Sequence, residues 1–255
     1  MELGKKQLDI VILILFFLVV SISVWIFKLN ALTTTFLYLV IPSAYLLFRY
    51  PKFRKRTLVF ALPTGIFLSI VIHYVGEANS VWSNNTQLPR IFTYLPLDSF
   101  IWYPAWVIAI TAIYQIFLDF KHRDQKISKN YKWLIIILFG FFSAFIVWLL
   151  IGSPRIEYGY ARLFALPIIF PVVYILIRKP ILIPRLFKFS LALLVFVLVY
   201  EIVALRLQHW TFPGEYSSLI YFFGVGVPIE ELILWVVLGG ASLAAYFETF
   251  MDDLK

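Results

Sequence analysis

The chain has 255 residues, 62% of them hydrophobic and only 14% charged, against about 45–50% and about 25% in ordinary soluble domains. It contains no cysteine, which excludes disulfides, thiolate nucleophiles and Cys-ligated metals. Its net charge of +8 raises nucleic-acid binding, but the placement of the basic residues points to membrane topology instead.

Runs of about 20 apolar residues predict an all-α, polytopic membrane protein. Eight spans are expected, at roughly 8–27, 31–49, 57–75, 96–118, 132–152, 159–177, 186–205 and 227–247. The first run, Leu8 to Phe27, is longer than a signal-peptide core and no small-residue cleavage pattern follows it, so it reads as a span. Lys28 to Asn30 leave room only for a tight hairpin into the second span. Pro96 and Pro228 are expected at the first helical positions of spans 4 and 8, where proline gives up no hydrogen bond.

Of the 22 Lys and Arg residues, 17 fall on the side of the N-terminus: Lys5 and Lys6, the Arg49–Arg56 cluster, Lys121–Lys132, Arg178–Lys188, and Lys255. Five fall on the other side: Lys28, Arg90, Arg155, Arg162 and Arg206. This bias predicts a multi-pass protein of the cell membrane with both termini cytoplasmic. The clusters read as anchors beside anionic membrane lipids, with no nucleic-acid partner.

An internal repeat is visible. At an offset of 129, Pro42 meets Pro171, Tyr45 meets Tyr174, Arg49 meets Arg178, Pro51 meets Pro180 and Arg56 meets Arg185. With small gaps, Trp82 then corresponds to Trp210 and Pro96 to Pro228. The expected organisation is two repeats of four spans, residues 1–130 and 131–255. An even number of spans returns the chain to its starting side, so the repeats are parallel, with sites expected between them.

His73, Asp98, Glu201, Glu230 and Glu231 lie at membrane depth, all toward the non-cytoplasmic side. A charge there costs about 2.5–3.5 kcal/mol even on insertion scales, so such residues are functional candidates. Each also has a structural reading. Glu230 sits where a capping box or a helix-dipole partner would. Glu231 lies about 100° further round the helix, so one carboxyl can serve chemistry and the other structure. Asp98 has a first-turn dipole reading, Glu201 an ion pair with Arg206, and His73 a packed polar role.

The histidines His73, His122 and His209 are scattered, and neither HExxH nor an Asp-rich run is present. No metal or other cofactor is expected. Membrane proteases with EExxxR need an Arg where this chain has Trp235.

Tandem repeats, each with a Trp after a polar helix end and then a proline-plus-acid helix start, resemble the membrane-integral, flavin-free lycopene cyclases. Val227-Pro-Ile-Glu-Glu-Leu232 is similar to that family's second-half motif, and Leu95-Pro-Leu-Asp-Ser-Phe100 to its first. Asp98 stands in place of the family's Glu and Ser99 in place of its second acid, and His73 sits where the second half has an acid. The resemblance implies redox-neutral cyclisation of a linear, lycopene-like carotenoid from the bilayer to a β-carotene-type product, without cofactor. Protonating an alkene needs a neutral carboxylic acid, which burial favours. The expected catalytic residues are Glu230 first, then Glu231, Glu201 and Asp98. His73, Trp82, Trp102, Trp210, Phe223 and Trp235 are expected to line the substrate site, the aromatic faces stabilising the cation. For Trp82 and Trp210 an interfacial aromatic belt is an equal alternative. Other readings are a related C50-carotenoid cyclase or end-group hydratase, a non-catalytic carotenoid- or lipid-binding protein, and a transporter. The oligomeric state is not legible.

Overall fold

The computed structural model describes residues 2–86, 88–118 and 127–251, leaving aside the side chains of residues 2, 3 and 166. Lys121, Arg123, Lys126, Lys255 and His122 lie outside these residues. Among the described residues seven helices are long and apolar enough to cross a membrane: α1 (Gly4–Phe27), α2 (Ala31–Arg49), α3 (Pro51–Ala78), α4 (Ser99–Leu118), α5 (Tyr131–Leu150), α6 (Tyr160–Arg178) and α7 (Pro180–Arg206). Two shorter helices, α8 (Glu231–Val237) and α9 (Gly239–Phe250), meet at 48° and are apolar enough when taken together to form either a broken span or a re-entrant loop. The chain is an all-α polytopic membrane protein. Its outer faces fit that setting: Phe48, Leu150 and Ile181 are about four-fifths exposed, an arrangement stable against lipid and unfavourable against water.

The connections between the helices carry short β-ladders. Strand β1 (Ser83–Asn84) pairs antiparallel with β4 (Trp210–Thr211), tying the α3–α4 connection to the α7–α8 connection. Each connection also holds a hairpin, β2 (Arg90–Ile91) with β3 (Leu95–Pro96), and β5 (Leu219–Phe222) with β6 (Val225–Pro228). This corrects the expectation for Pro96 and Pro228. Each ends the second strand of its hairpin, and the helices start at Ser99 and Glu231. Pro51 and Pro180, in contrast, do open their helices, after Tyr50 and Lys179 in nearly the same backbone conformation (ψ 65° in both).

The core lies where α3, α4, α7 and α9 meet, around Phe60, Val107, Tyr114, Phe189, Ala244 and Phe247. Small residues allow the close approach, as is general where helices pack within a bilayer. A Cβ on Gly65 would lie 2.5 Å from the Pro104 Cα, and backbone cannot move aside as a side chain does. Gly65→Ala is expected to destabilise by about 1–3 kcal/mol. Gly140→Ala, with nothing within 4 Å, is expected to be neutral. Thermal unfolding of the two variants in detergent checks this.

Among the described residues five stretches widen into π-turns: Phe36–Val40, Leu68–His73, Tyr114–Leu118, Tyr160–Phe164 and Glu231–Val237. Such turns add a residue to the helical circuit, re-aim the side chains that follow, and recur at functional sites. Four of them begin or end on a buried residue that carries a polar group: His73, Tyr114, Tyr160 and Glu231.

Candidate functional site

Glu201 sits in the last third of α7, 2% exposed. Its partner comes from its own connection: the Trp210 indole donates to Glu201 Oε1 at 2.8 Å. Arg206 does not form the expected ion pair. Its guanidinium reaches the other way, donating to the Phe223 carbonyl at 3.1 Å. Trp210 is held in turn by the β1–β4 ladder and by a ring contact with Tyr200.

Glu231 is the first residue of α8 and 6% exposed. Its carboxyl lies near the hydroxyl of Tyr160, from the start of α6, and near the carboxyl of Glu201. Glu230 points elsewhere. It occupies the cap position without capping; its Oε1 accepts from the Ser217 amide at 2.7 Å, and its Oε2 is buried without a hydrogen-bond partner. The rotation between successive residues anticipated from sequence thus separates the two acids, with Glu230 bracing the loop before β5.

Asp98 precedes α4 and likewise makes no capping bond; its Oδ1 is buried and unpartnered. Near it, His73 ends the π-turn of α3 at 2% exposure, between the rings of Trp82 and Tyr103 at 6.0 and 5.7 Å. His73 Nε2 is 3.6 Å from Glu77 Oε1. Glu77 also accepts from the Asn84 amide at 2.8 Å and is ion-paired with Arg90. Gly76 makes room for this group, since a Cβ there would meet the Trp82 ring at 2.3 Å.

These side chains converge on a cavity of about 420 Å³ between α3, α4, α5, α6, α7, α8 and α9. Asp98, Glu201, Glu231 and His73 line it, with the indoles of Trp82, Trp102, Trp210 and Trp235. Trp102, Trp106 and Trp235 form a near-parallel stack, with centroids 5.2–5.8 Å apart, and Trp102 donates to Tyr200 at 2.7 Å. Much of the remaining wall is aliphatic or phenyl. Among the described residues no three His, Asp or Glu side chains converge as a metal-ligand set.

Two expected site residues do not reach the cavity. Glu230 is turned to the loop, as above. Phe223 is in the β5–β6 turn, where its positive φ (49°) and that of Gly224 (81°) reverse the chain; its ring is 85% exposed. Tyr160 and Tyr103 were not singled out from the sequence. Neither lies in a charged motif, and only the backbone path of α4 and α6 brings them to the acids.

His209 also lines the cavity. It is buried, its Nε2 donates to the Leu29 carbonyl at 2.9 Å, and its Nδ1 is unpartnered. Burial pushes this imidazole below its usual range, more than the Leu29 contact raises it. The folded chain therefore takes up this proton less readily than the unfolded one. The resulting stability is constant above the unfolded value of about 6.5 and falls as pH drops below it. Melting temperatures measured between pH 7.5 and 5.5 are expected to decline, and His209→Gln is expected to flatten that decline.

Comparison of the chain with protein-family models, with curated proteins and with solved structures finds no match in any of the three.

Proposed function

We propose that the chain is a carotenoid end-group cyclase, converting linear lycopene to a cyclic isomer by protonation, ring closure and deprotonation. The observation that carries this reading is the cavity itself: an apolar, aromatic chamber with the carboxyls of Asp98, Glu201 and Glu231 at one end. The resemblance of Val227-Pro-Ile-Glu-Glu-Leu232 and Leu95-Pro-Leu-Asp-Ser-Phe100 to the lycopene cyclase motifs supports it.

The chemistry follows from the parts. A protonated carboxyl gives its proton to the terminal double bond of the substrate, leaving a carbocation. A neighbouring alkene attacks that cation and closes a six-membered ring, moving the charge to a ring carbon. A carboxylate takes a proton from the adjacent carbon, and the electrons of that C–H bond form the ring double bond. One proton enters and one leaves, so the product is an isomer and no oxidant is consumed. Desolvation keeps a carboxyl neutral and ready to donate. The indole faces of Trp102, Trp235 and Trp82 stabilise the passing cation by about 0.5–2 kcal/mol each. A dry wall keeps water from capturing it as an alcohol. Glu231 is assigned as the acid, because it lines the cavity with the Tyr160 hydroxyl near it, and Glu201 as the base, fixed by Trp210. Exchange with solvent after product release protonates Glu231 and deprotonates Glu201 for the next turnover. Asp98 and His73 complete the polar end.

We further propose that residues 1–130 and 131–255 are parallel repeats, that both termini are cytoplasmic in the cell membrane, and that the site faces the non-cytoplasmic side. Expression in a lycopene-accumulating bacterium, with pigment analysis, tests the function. The expected result is loss of lycopene and appearance of a cyclic product of the same formula. Unchanged lycopene beside well-inserted protein contradicts it.

A further inference from the structure

The two hairpins that lead into α4 and α8 share a feature at their tips. Phe92 and Thr93 in the β2–β3 turn, and Phe223 and Gly224 in the β5–β6 turn, have positive φ (50°, 68°, 49° and 81°). Glycine adopts that conformation freely, whereas a bulky or β-branched residue is strained in it. Such strain persists where the surroundings repay it. Each turn nevertheless begins on a phenylalanine, and Phe92, like Phe223, is about four-fifths exposed. A ring held outward at a strained position loses on both counts in water. The strand behind the second tip is apolar on both faces. Leu219, Ile220 and Tyr221 follow one another in β5 and all are exposed, although successive residues of a strand point to opposite faces. A ribbon in water commonly keeps one face polar. In hydrocarbon, the outer edges of these two-stranded sheets would leave amides and carbonyls unpaired. The boundary between water and hydrocarbon meets both demands.

Both hairpins fold back to the level of the helix ends. Arg206, the last residue of α7, donates to the Phe223 carbonyl at 3.1 Å and is itself exposed. α7 has 27 residues, about 40 Å at about 1.5 Å each, a match to the bilayer with its headgroup layers included. Its end, and the turn bound to it, thus reach the layer where arginine meets lipid phosphate. In the first hairpin, Tyr94 packs edge-on against Tyr74, which also meets Phe145 and Trp148 near the end of α5. Tyrosine and tryptophan gather at the membrane boundary. Leu150 and Ile151, just beyond Trp148, are exposed too, so the apolar surface of the hairpin continues that of the spans.

We propose that both hairpins insert their tips into the lipid leaflet on their side of the membrane. The rings of Phe92 and Phe223 then lie at the boundary of headgroups and acyl chains, with Arg206 at the phosphates. Pro96 and Pro228 end the inserted strands, and Asp98 and Glu231 follow within three residues. Lipid contact at the tips therefore sets the depth at which these two acids stand. Such insertion is independent of what the cavity converts.

The chain has no cysteine, so a single one can be labelled at each tip. Phe92→Cys and Phe223→Cys, each carrying the fluorophore nitrobenzoxadiazole, are placed as full-length protein in phosphatidylcholine nanodiscs. Glu215→Cys, at a largely exposed ion pair with Arg155, is the water-facing reference. Leu15→Cys, exposed midway along α1, is the lipid-facing one. Both tips are expected to be quenched by lipid bearing a nitroxide near the top of its acyl chain. They are also expected to be at least about fivefold less sensitive to iodide than the Glu215→Cys reference, as burial of about 5–10 Å into the boundary implies. Thr93→Cys and Tyr221→Cys, which keep both phenylalanines, give the same reading should the first pair fail to insert. Iodide sensitivity at either tip equal to that of the water-facing reference overturns the proposal. So does shielding from iodide without quenching by the nitroxide lipid, which would put a second copy of the chain over the tips.

Discussion

Glu231→Gln is expected to lower conversion of the linear polyene by about 10²–10⁴-fold, the usual contribution of a positioned general acid, while leaving the protein inserted. The amide keeps the shape of the side chain, so the loss reports the missing proton rather than a collapsed site. Glu230→Gln is the matched control one residue away. Its carboxyl braces the Ser217 amide outside the cavity, so most activity is expected to survive, with a loss of about 1 kcal/mol or less in stability. Product formed per molecule of inserted protein, measured for both variants, separates them. Equal losses would show that the pair acts as a unit, and a larger loss in Glu230→Gln would reverse the assignment.

Asp9→Ala is expected to have the largest effect on stability and little on chemistry. Asp9 is fully buried near the start of α1. It accepts from Tyr45 at 2.6 Å and Tyr50 at 2.5 Å, and is ion-paired with Arg49 at 3.3 Å. All three partners belong to α2 or the residue after it, so the carboxylate clamps α1 to α2. Removing it strands two hydroxyls and a guanidinium, a loss of about 3–5 kcal/mol for a broken buried pair. The value lies toward the lower end because the Arg49 side chain is 39% exposed and can turn to water. Asp9→Asn, which keeps an acceptor, is expected to recover part of the loss. Thermal unfolding gives the stabilities, and activity of the folded fraction at low temperature is expected to be unchanged.

The membrane-spanning organisation was legible because lipid allows few backbone solutions, and a run of about 20 apolar residues is nearly sufficient to define one. In the fold Glu201 and Trp210, nine residues apart, close a direct hydrogen bond. His73 and Trp82 share the same step and meet as rings. The starts of α4 and α8 were misjudged for a local reason: proline is compatible with both a first helical turn and the end of an edge strand, and only the cross-strand partners Arg90 and Leu219 decide between them. Rotation of about 100° per residue at a helix start also turns Glu230, ranked first among the catalytic candidates, away from the cavity that Glu231 lines. Phe223 was close to the motif in sequence but lies beyond a hairpin turn. Tyr160 carried no signal, since a tyrosine at an interfacial helix end is ordinary in membrane proteins. Asp9 sat just inside the first apolar run, and its three donors lie 36–41 positions away, too far for any local pattern to show.

The most direct test of a proton-in, proton-out cyclisation is to run it in deuterium oxide with purified protein and unlabelled lycopene, and to weigh the product. The acid exchanges its proton with solvent between turnovers, while the proton removed comes from the substrate. Each ring formed is therefore predicted to add one deuterium to an otherwise unchanged molecular formula. A cyclic product without deuterium, or one lighter by two hydrogens, would contradict the mechanism.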